Sequence, residues 1–369
     1  MRRSKHRSLI LASIPGKEAM GCDLTCQTME GLSTQVTKAS KIRTFSNEAV
    51  EYFSYSRIKR GIGLLIIVVA MMGIGLIGTS EATEIPLAKV AKVNKLQMLS
   101  ANSFGTKDVV FAFKENSRVF MFKKILMPLG FPIIKRYGRY YIDNSDYKSH
   151  IKPLFPTTQH NYKKIRVIAL DAGHGGEDNG TTAKWYKLQE KSLAMDVCLR
   201  LAKLLDRNGY KVILTRLHDK KILLPERTQI ANRAKADLFI SIHFNSAPLS
   251  SASGIETFVL TPSQQASSYE AFSKNICRSF VGNAFDALNI VLGYCLQSSL
   301  IQQTSAIDRG VKHSTFTVLR DLKCPGILVE CGFLSNREEC KKITSPAYRD
   351  VLAQSICDGI IKFNDLLSE

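Results

Sequence analysis

A chain of 369 residues can bury a sizeable core, which excludes a minimal stapled scaffold and leaves one large domain with attachments or two modest ones. Its 51 Lys and Arg against 32 Asp and Glu leave a net charge of +19, favouring an anionic partner such as nucleic acid, a membrane surface or an acidic wall polymer. The basic residues are scattered singly and in pairs, which excludes one long basic run as their carrier and is equally the pattern of a solvated surface.

The first sixty residues have weak periodicity and many Ser and Thr. Arg57-Ile58-Lys59-Arg60 then leads into the uncharged apolar run Gly61 to Gly78, followed by Ser80-Glu81-Ala82 and a polar segment. A basic flank, an apolar middle and small residues form a secretory signal, with cleavage after Ala82. The run is also long enough to span a bilayer as a tilted helix, so an uncleaved signal anchor is the competing reading. Residues 1–82 are thus a tail with a signal peptide or membrane anchor, the part before about Tyr52 being a mis-chosen start or a cytoplasmic tail. Either reading exports the remainder to the periplasm or cell envelope and disfavours nucleic acid. Of the cysteines beyond the signal, Cys198, Cys277, Cys295, Cys324, Cys331, Cys340 and Cys357, the odd number predicts at least one buried free thiol.

Residues 83–162 read as a small β-rich module. Asp108 to Phe113, Ser117 to Phe122 and Gly138 to Ile142 are short strands separated by turn signals at Glu115-Asn116 and Tyr137-Gly138. From 163 to 369 strands alternate with helical patterns, predicting an α/β fold with a mostly parallel sheet flanked by helices. The strand Val167 to Leu170 breaks into Asp171-Ala172-Gly173-His174-Gly175-Gly176. A helix opens at Glu190 and ends at Asn208-Gly209; Lys211 to Arg216 is a strand and Leu224 to Ala236 a helix. The strand Leu238 to Ile242 delivers His243. Gly254 to Leu260 is a strand, Tyr269 to about Gly282 a helix, Gly326 to Val329 a buried strand ending in Glu330, and Ser345 to Leu367 a closing amphipathic helix.

Strand ends and helix starts therefore carry His174, Glu190, His243 and Glu330. Two imidazoles and one carboxylate from separate loops form the three-ligand set of a catalytic zinc, with a fourth position open to water. A second carboxylate then takes the proton from that water and passes it to the leaving amine. Glu190, at a helix start soon after His174, is assigned to the metal, and Glu330, which comes last, to the general base. An unpaired carboxylate after four apolar strand residues is costly, which marks Glu330 as more than a surface group.

These residues lie in segments that resemble the zinc-dependent N-acetylmuramoyl-L-alanine amidases of bacterial cell walls. The matching segments are Asp171 to Gly176 with Asp178 and Gly180, Glu190, Thr215-Arg216 with Asp219, Glu226-Arg227 with Ala231-Asn232, Ala236 to Asn245, and Val329 to Asn336. The resemblance implies one Zn2+ on His174, Glu190 and His243, with Glu330 as acid/base. It also implies hydrolysis of the amide between the lactyl group of N-acetylmuramic acid and L-alanine of the peptidoglycan stem, in wall remodelling and division. A divisome or activator protein is an implied partner. Ala172 stands where the family commonly has Pro, which bears on loop rigidity, and Cys331 directly follows the base. Some relatives carry an inserted helix that plugs the site; Thr261 to Lys323 looks short for one, predicting an open site. Arg309-Gly310-Val311-Lys312 is read as lining the groove, with Arg309 meeting substrate carboxylates. His218 and His313 are read as polar loop residues facing water. The alternatives are a zinc carboxypeptidase or endopeptidase acting on stem peptides and a non-catalytic wall-binding protein.

Overall fold

The computed structural model describes residues 83–155, 162–183, 185–273, 276 and 278–367. The expected signal or anchor within 1–82 and Cys277 lie outside these residues. The β-rich part begins with β1 (Glu84–Pro86) and α1 (Leu87–Val93). An antiparallel meander follows: β2 (Gln97–Ser100), β3 (Ser103–Gly105), β4 (Val110–Phe113), β5 (Val119–Phe122) and β6 (Ile125–Pro128). Then β7 (Ile134–Arg136) and β8 (Arg139–Asp143) complete a second sheet in the order β1-β8-β7. Alternation drives the meander: Phe111 and Phe113 point inward from β4, Phe120 and Phe122 from β5, and the Phe111 and Phe120 rings stack 5.0 Å apart. The strands read from the sequence are β4, β5 and β8. The others are three or four residues long, and β2 is exposed throughout, so no period-two signal marks it.

The larger sheet contains β9 (Val167–Ala172), β10 (Lys211–Leu214), β11 (Leu238–Asn245), β12 (Ile255–Leu260), β13 (Asp308–Ser314) and β14 (Gly326–Phe333). Their order is β10-β9-β11-β14-β12-β13. Every pairing is parallel except β12 with β14, so the sheet is mixed. Ile168 and Leu170 of β9, Ile240 and Ile242 of β11, and Ile327, Val329 and Cys331 of β14 share one core. They pack there with α2 (Glu190–Arg207) and, later in the chain, α4 (Asp286–Thr304) and α6 (Pro346–Leu366). The intervening residues Ala169, Phe239 and Leu328 face a smaller cluster with Ala231 of α3 (Leu224–Arg233) and Val318 and Leu319 of α5 (Thr317–Arg320). By the same alternation Asp171, Ser241, His243 and Glu330 lie on this second face.

The stretch Val281–Thr304 is long and apolar enough to cross a membrane by length and composition, yet 61% of its window is buried inside the protein. Its helix α4 belongs to the first face and none of its residues lines the cavity described below. The expected helix from Tyr269 to Gly282 is not formed where the chain is described; helix begins at Asp286 after a short turn. Tertiary contacts override its propensity. Arg118 of the β-rich part donates to the carbonyls of Ala266 (2.6 Å) and Ser267 (3.0 Å), just before the expected helix, and to that of Glu270 (3.1 Å), which a helix would use itself.

The β-rich part and the larger sheet share one continuous core, with the Phe122 ring 5.3 Å from that of Tyr294 in α4. β6 lies against β13: the Leu126 amide donates to Asp308 Oδ2 at 2.9 Å, and a Cβ at Gly310 would sit 2.6 Å from the Leu126 carbonyl oxygen. Only glycine permits that approach at φ 83°.

Candidate metal centre

β9 ends at Ala172, and the chain turns through Gly173 into His174, whose backbone is left-handed at φ 58°. That conformation costs a non-glycine residue of order 1–3 kcal/mol and persists only where its surroundings enforce it. Two buried arginines do so. Arg216 donates through Nε to the Ala172 carbonyl and through Nη2 to that of Gly173, both at 2.9 Å. Arg227 donates through Nη1 to the Ala172 carbonyl and through Nη2 to that of His174, both at 2.8 Å. Arg227 is in turn paired at 2.8 Å with Asp171, a fully buried carboxylate that also accepts from Thr215 and Ser241, both at 2.7 Å. Burial alone would raise the Asp171 pKa, but Arg227 and the two hydroxyls outweigh it and hold the carboxyl below its ordinary range.

His174 Nε2 and His243 Nδ1 each lie 3.0 Å from Glu190 Oε1. One ligand atom from each residue falls within 4.8 Å of the others, a set able to hold a metal ion. Gly173 makes the approach possible, since a Cβ there would meet the His243 ring at 2.3 Å. His174 Nδ1 is 2.9 Å from Asp178 Oδ2. An ionised carboxylate only accepts, so Asp178 holds the Nδ1 proton and orients the ring with Nε2 toward Glu190, as the nitrogen a cation would take. Glu190 also accepts from the amides of Thr181 (2.9 Å) and Phe244 (3.0 Å). Burial would raise its pKa, yet the hydrogen bonds from the two histidines dominate and hold it far below the usual carboxylate range. The donors are two nitrogens and an ionised oxygen, which suits zinc.

Glu330 is the register partner of His243 across β11 and β14, so both project into the same cavity of roughly 610 Å³. Its Oε2 is buried with no hydrogen-bond partner among the described residues. Burial first, then the nearby carboxylates of Glu190 and Glu256, push its pKa well above the ordinary value. Both His243 and Glu330 lie within their strands, each of which continues past the expected end.

Residues 168–362 match the family model described as N-acetylmuramoyl-L-alanine amidase. The chain belongs to this amidase family. Over 197 residues it is 33% identical to N-acetylmuramoyl-L-alanine amidase LytC of Bacillus subtilis (strain 168), covering 53% of this chain and 35% of that protein. Over 216 residues it is 32% identical to AmiC of Escherichia coli O6:H1, covering 53% of this chain and 52% of that protein. The chain therefore spans about half or less of the length of these two curated relatives. The crystal structure of N-acetylmuramoyl-L-alanine amidase from Clostridium difficile 630 is 31% identical, with a TM-score of 0.46 over 55% of this chain and 98% of that one.

Within this amidase domain the other expected residues fall as follows. Arg309 does not line the cavity; its Nε donates to Glu256 at 2.9 Å and its guanidinium lies 4.8 Å from the centre of the Phe333 ring. Glu256, opposite Glu330 across β12 and β14, also accepts from Lys312 (2.6 Å) and Asn245 (2.7 Å). The sequence reading passed over Glu256, although an acidic residue inside the apolar run Gly254 to Leu260 carries the same signal as Glu330. His313, expected to face water, is fully buried, with Nε2 2.8 Å from His150 Nε2. Burial pushes its pKa well below the ordinary value. The error has a physical source: the β-rich part covers β13, and local polarity does not reveal that cover. His218 is exposed as expected. Cys198, Cys295, Cys324, Cys331, Cys340 and Cys357 are free and buried. Burial, followed by the charge of Glu330, pushes the Cys331 thiol well up, so it offers no thiolate for catalysis.

The hydrogen bond from His174 to Asp178 carries a quantitative expectation. Asp178→Ala should weaken zinc affinity about 10- to 100-fold by freeing the imidazole to rotate. Competition with a chromophoric chelator checks this; unchanged affinity would remove Asp178 from the support of the centre.

Proposed function

We propose that this chain is a zinc-dependent peptidoglycan amidase that hydrolyses the amide between N-acetylmuramic acid and L-alanine of the stem peptide. The observation that carries the reading is the convergence of His174, Glu190 and His243 beside the unpartnered, buried Oε2 of Glu330. A zinc ion held by the three residues would supply Lewis acidity, polarising the scissile carbonyl and acidifying a water molecule. Glu330 does the proton work. A carboxylate whose surroundings raise its pKa is a stronger base than one in water, so it accepts the proton of the attacking water and returns it to the departing amine. Asp178 and the arginine-held loop keep His174 in position, and the buried network around Asp171 fixes that loop to the sheet.

In the same reading, residues 83–369 act outside the cytoplasm after export by the signal or anchor in 1–82, with peptidoglycan as partner and the 83–162 module presenting or docking it. Because α4 lies off the cavity, we propose that the site is open and needs no activator. The deciding experiment is mass spectrometry of muropeptides incubated with the zinc-loaded full chain. Free stem peptide is the expected product. Loss of only a terminal D-alanine would transfer the assignment to a carboxypeptidase, and turnover only after adding a partner protein would overturn the open site.

A further inference from the structure

Arg309, expected to meet a substrate carboxylate, does not line the metal cavity, and its Nε is paired with Glu256. Among the described residues lining the metal cavity, Arg320 at the end of α5 is the one lysine or arginine. Its Nε donates to the Thr315 carbonyl at 2.6 Å, and its guanidinium lies 5.2 Å from the centre of the Phe280 ring. These two contacts fix the plane of the group. They leave both Nη nitrogens without a carboxylate partner among the described residues, whereas Arg227 and Arg278 each have one there and Arg309 is paired through Nε. Ser314, Thr315 and Thr317 line the same wall.

A planar, preoriented fork with two donors left over matches a carboxylate bidentately, and it does so better than it matches a neutral amide. We propose that Arg320 is a specificity-determining residue that binds a free carboxylate of the stem peptide, so that the enzyme distinguishes acidic stems from amidated ones. This rests on the peptidoglycan reading above and adds the part of the substrate that the cavity selects. The cation shares the cavity with Glu330 and the metal ligands, and because the lactyl carboxyl of muramic acid is tied up in the scissile amide, the free carboxylate it takes belongs to the peptide.

The test is equilibrium binding, read by calorimetry on the zinc-loaded full chain, of two synthetic stem tripeptides identical except that one has free carboxylates and the other carries amides. The acidic peptide should bind about 10- to 100-fold more tightly, as expected for charge-assisted hydrogen bonds. Arg320→Gln should reduce that ratio to near one, and Arg320→Lys, which keeps the charge and loses the fork, should retain part of it. Melting temperatures report whether each variant is folded, and Arg320→Lys serves if Arg320→Gln is not. Equal binding of the two peptides by the unaltered chain, or an unchanged ratio in a folded variant, would overturn the proposal. Cleavage of the corresponding muramoyl tripeptides is measured separately. Selective binding without release of the stem would preserve the Arg320 site while rejecting the amidase reading.

Discussion

Glu330→Gln should leave a folded, zinc-binding protein whose turnover of muropeptides is lower by about 10²- to 10⁴-fold, the usual contribution of a positioned acid/base. The amide is nearly isosteric and cannot accept the proton of water. Replacing the carboxylate by an amide removes the cost of burying its charge and, after that, its repulsion with Glu190 and Glu256, so folding stability should hold or rise. Paired measurements of metal content and rate separate this outcome from a collapsed centre. Full activity with a normal metal content would eliminate Glu330 as the base.

The largest structural effect should come from Arg227. Arg227→Ala leaves Asp171 fully buried with two hydroxyl donors and no cation, and breaking such a pair costs about 3–5 kcal/mol. For a domain of this size that lowers Tm by roughly 6–20 °C. The same change frees the carbonyls of Ala172 and His174, so zinc affinity should fall with stability. The dependence on pH has a definite sign. Asp171 titrates below its unfolded value near 3.9, so its stabilisation is complete above about pH 4 and disappears as acidification passes through the lower folded pKa. Arg227→Ala should therefore flatten the acid limb of the stability curve. An unchanged limb would mean that Asp171 does not dominate it.

His174 was legible as a histidine among glycines, His243 and Glu330 as polar residues after apolar runs, and Glu190 as a carboxylate at a helix start. Five strands of the sheet were legible for a similar reason, as short apolar runs alternating with helical patterns, whereas β13 (DRGVKHS) carries no such run and was read as a groove-lining segment. What stayed hidden depends on partners distant in sequence. Arg216 and Arg227 lie in segments that match the family, but nothing local states that their guanidiniums hold the carbonyls of a loop more than forty residues away. Arg309 and Arg320 look alike as cations near the last strand, and only the fold shows that Glu256 engages the first and leaves the second facing the cavity. The extension of β14 through Cys331 to Phe333 and the non-helical path after Tyr269 were likewise decided by neighbours rather than by propensity.

The contact of β6 with β13 bears on how this chain avoids pairing with copies of itself. β13 is one of the two edge strands of the larger sheet, and an uncovered edge is a template for pairing with another chain. A protein cut at residue 163 would retain every metal ligand and Glu330 but bare that margin, together with the buried His313. The β-rich segment thus lies as a built-in guard over the margin along which a second copy could add its own strand.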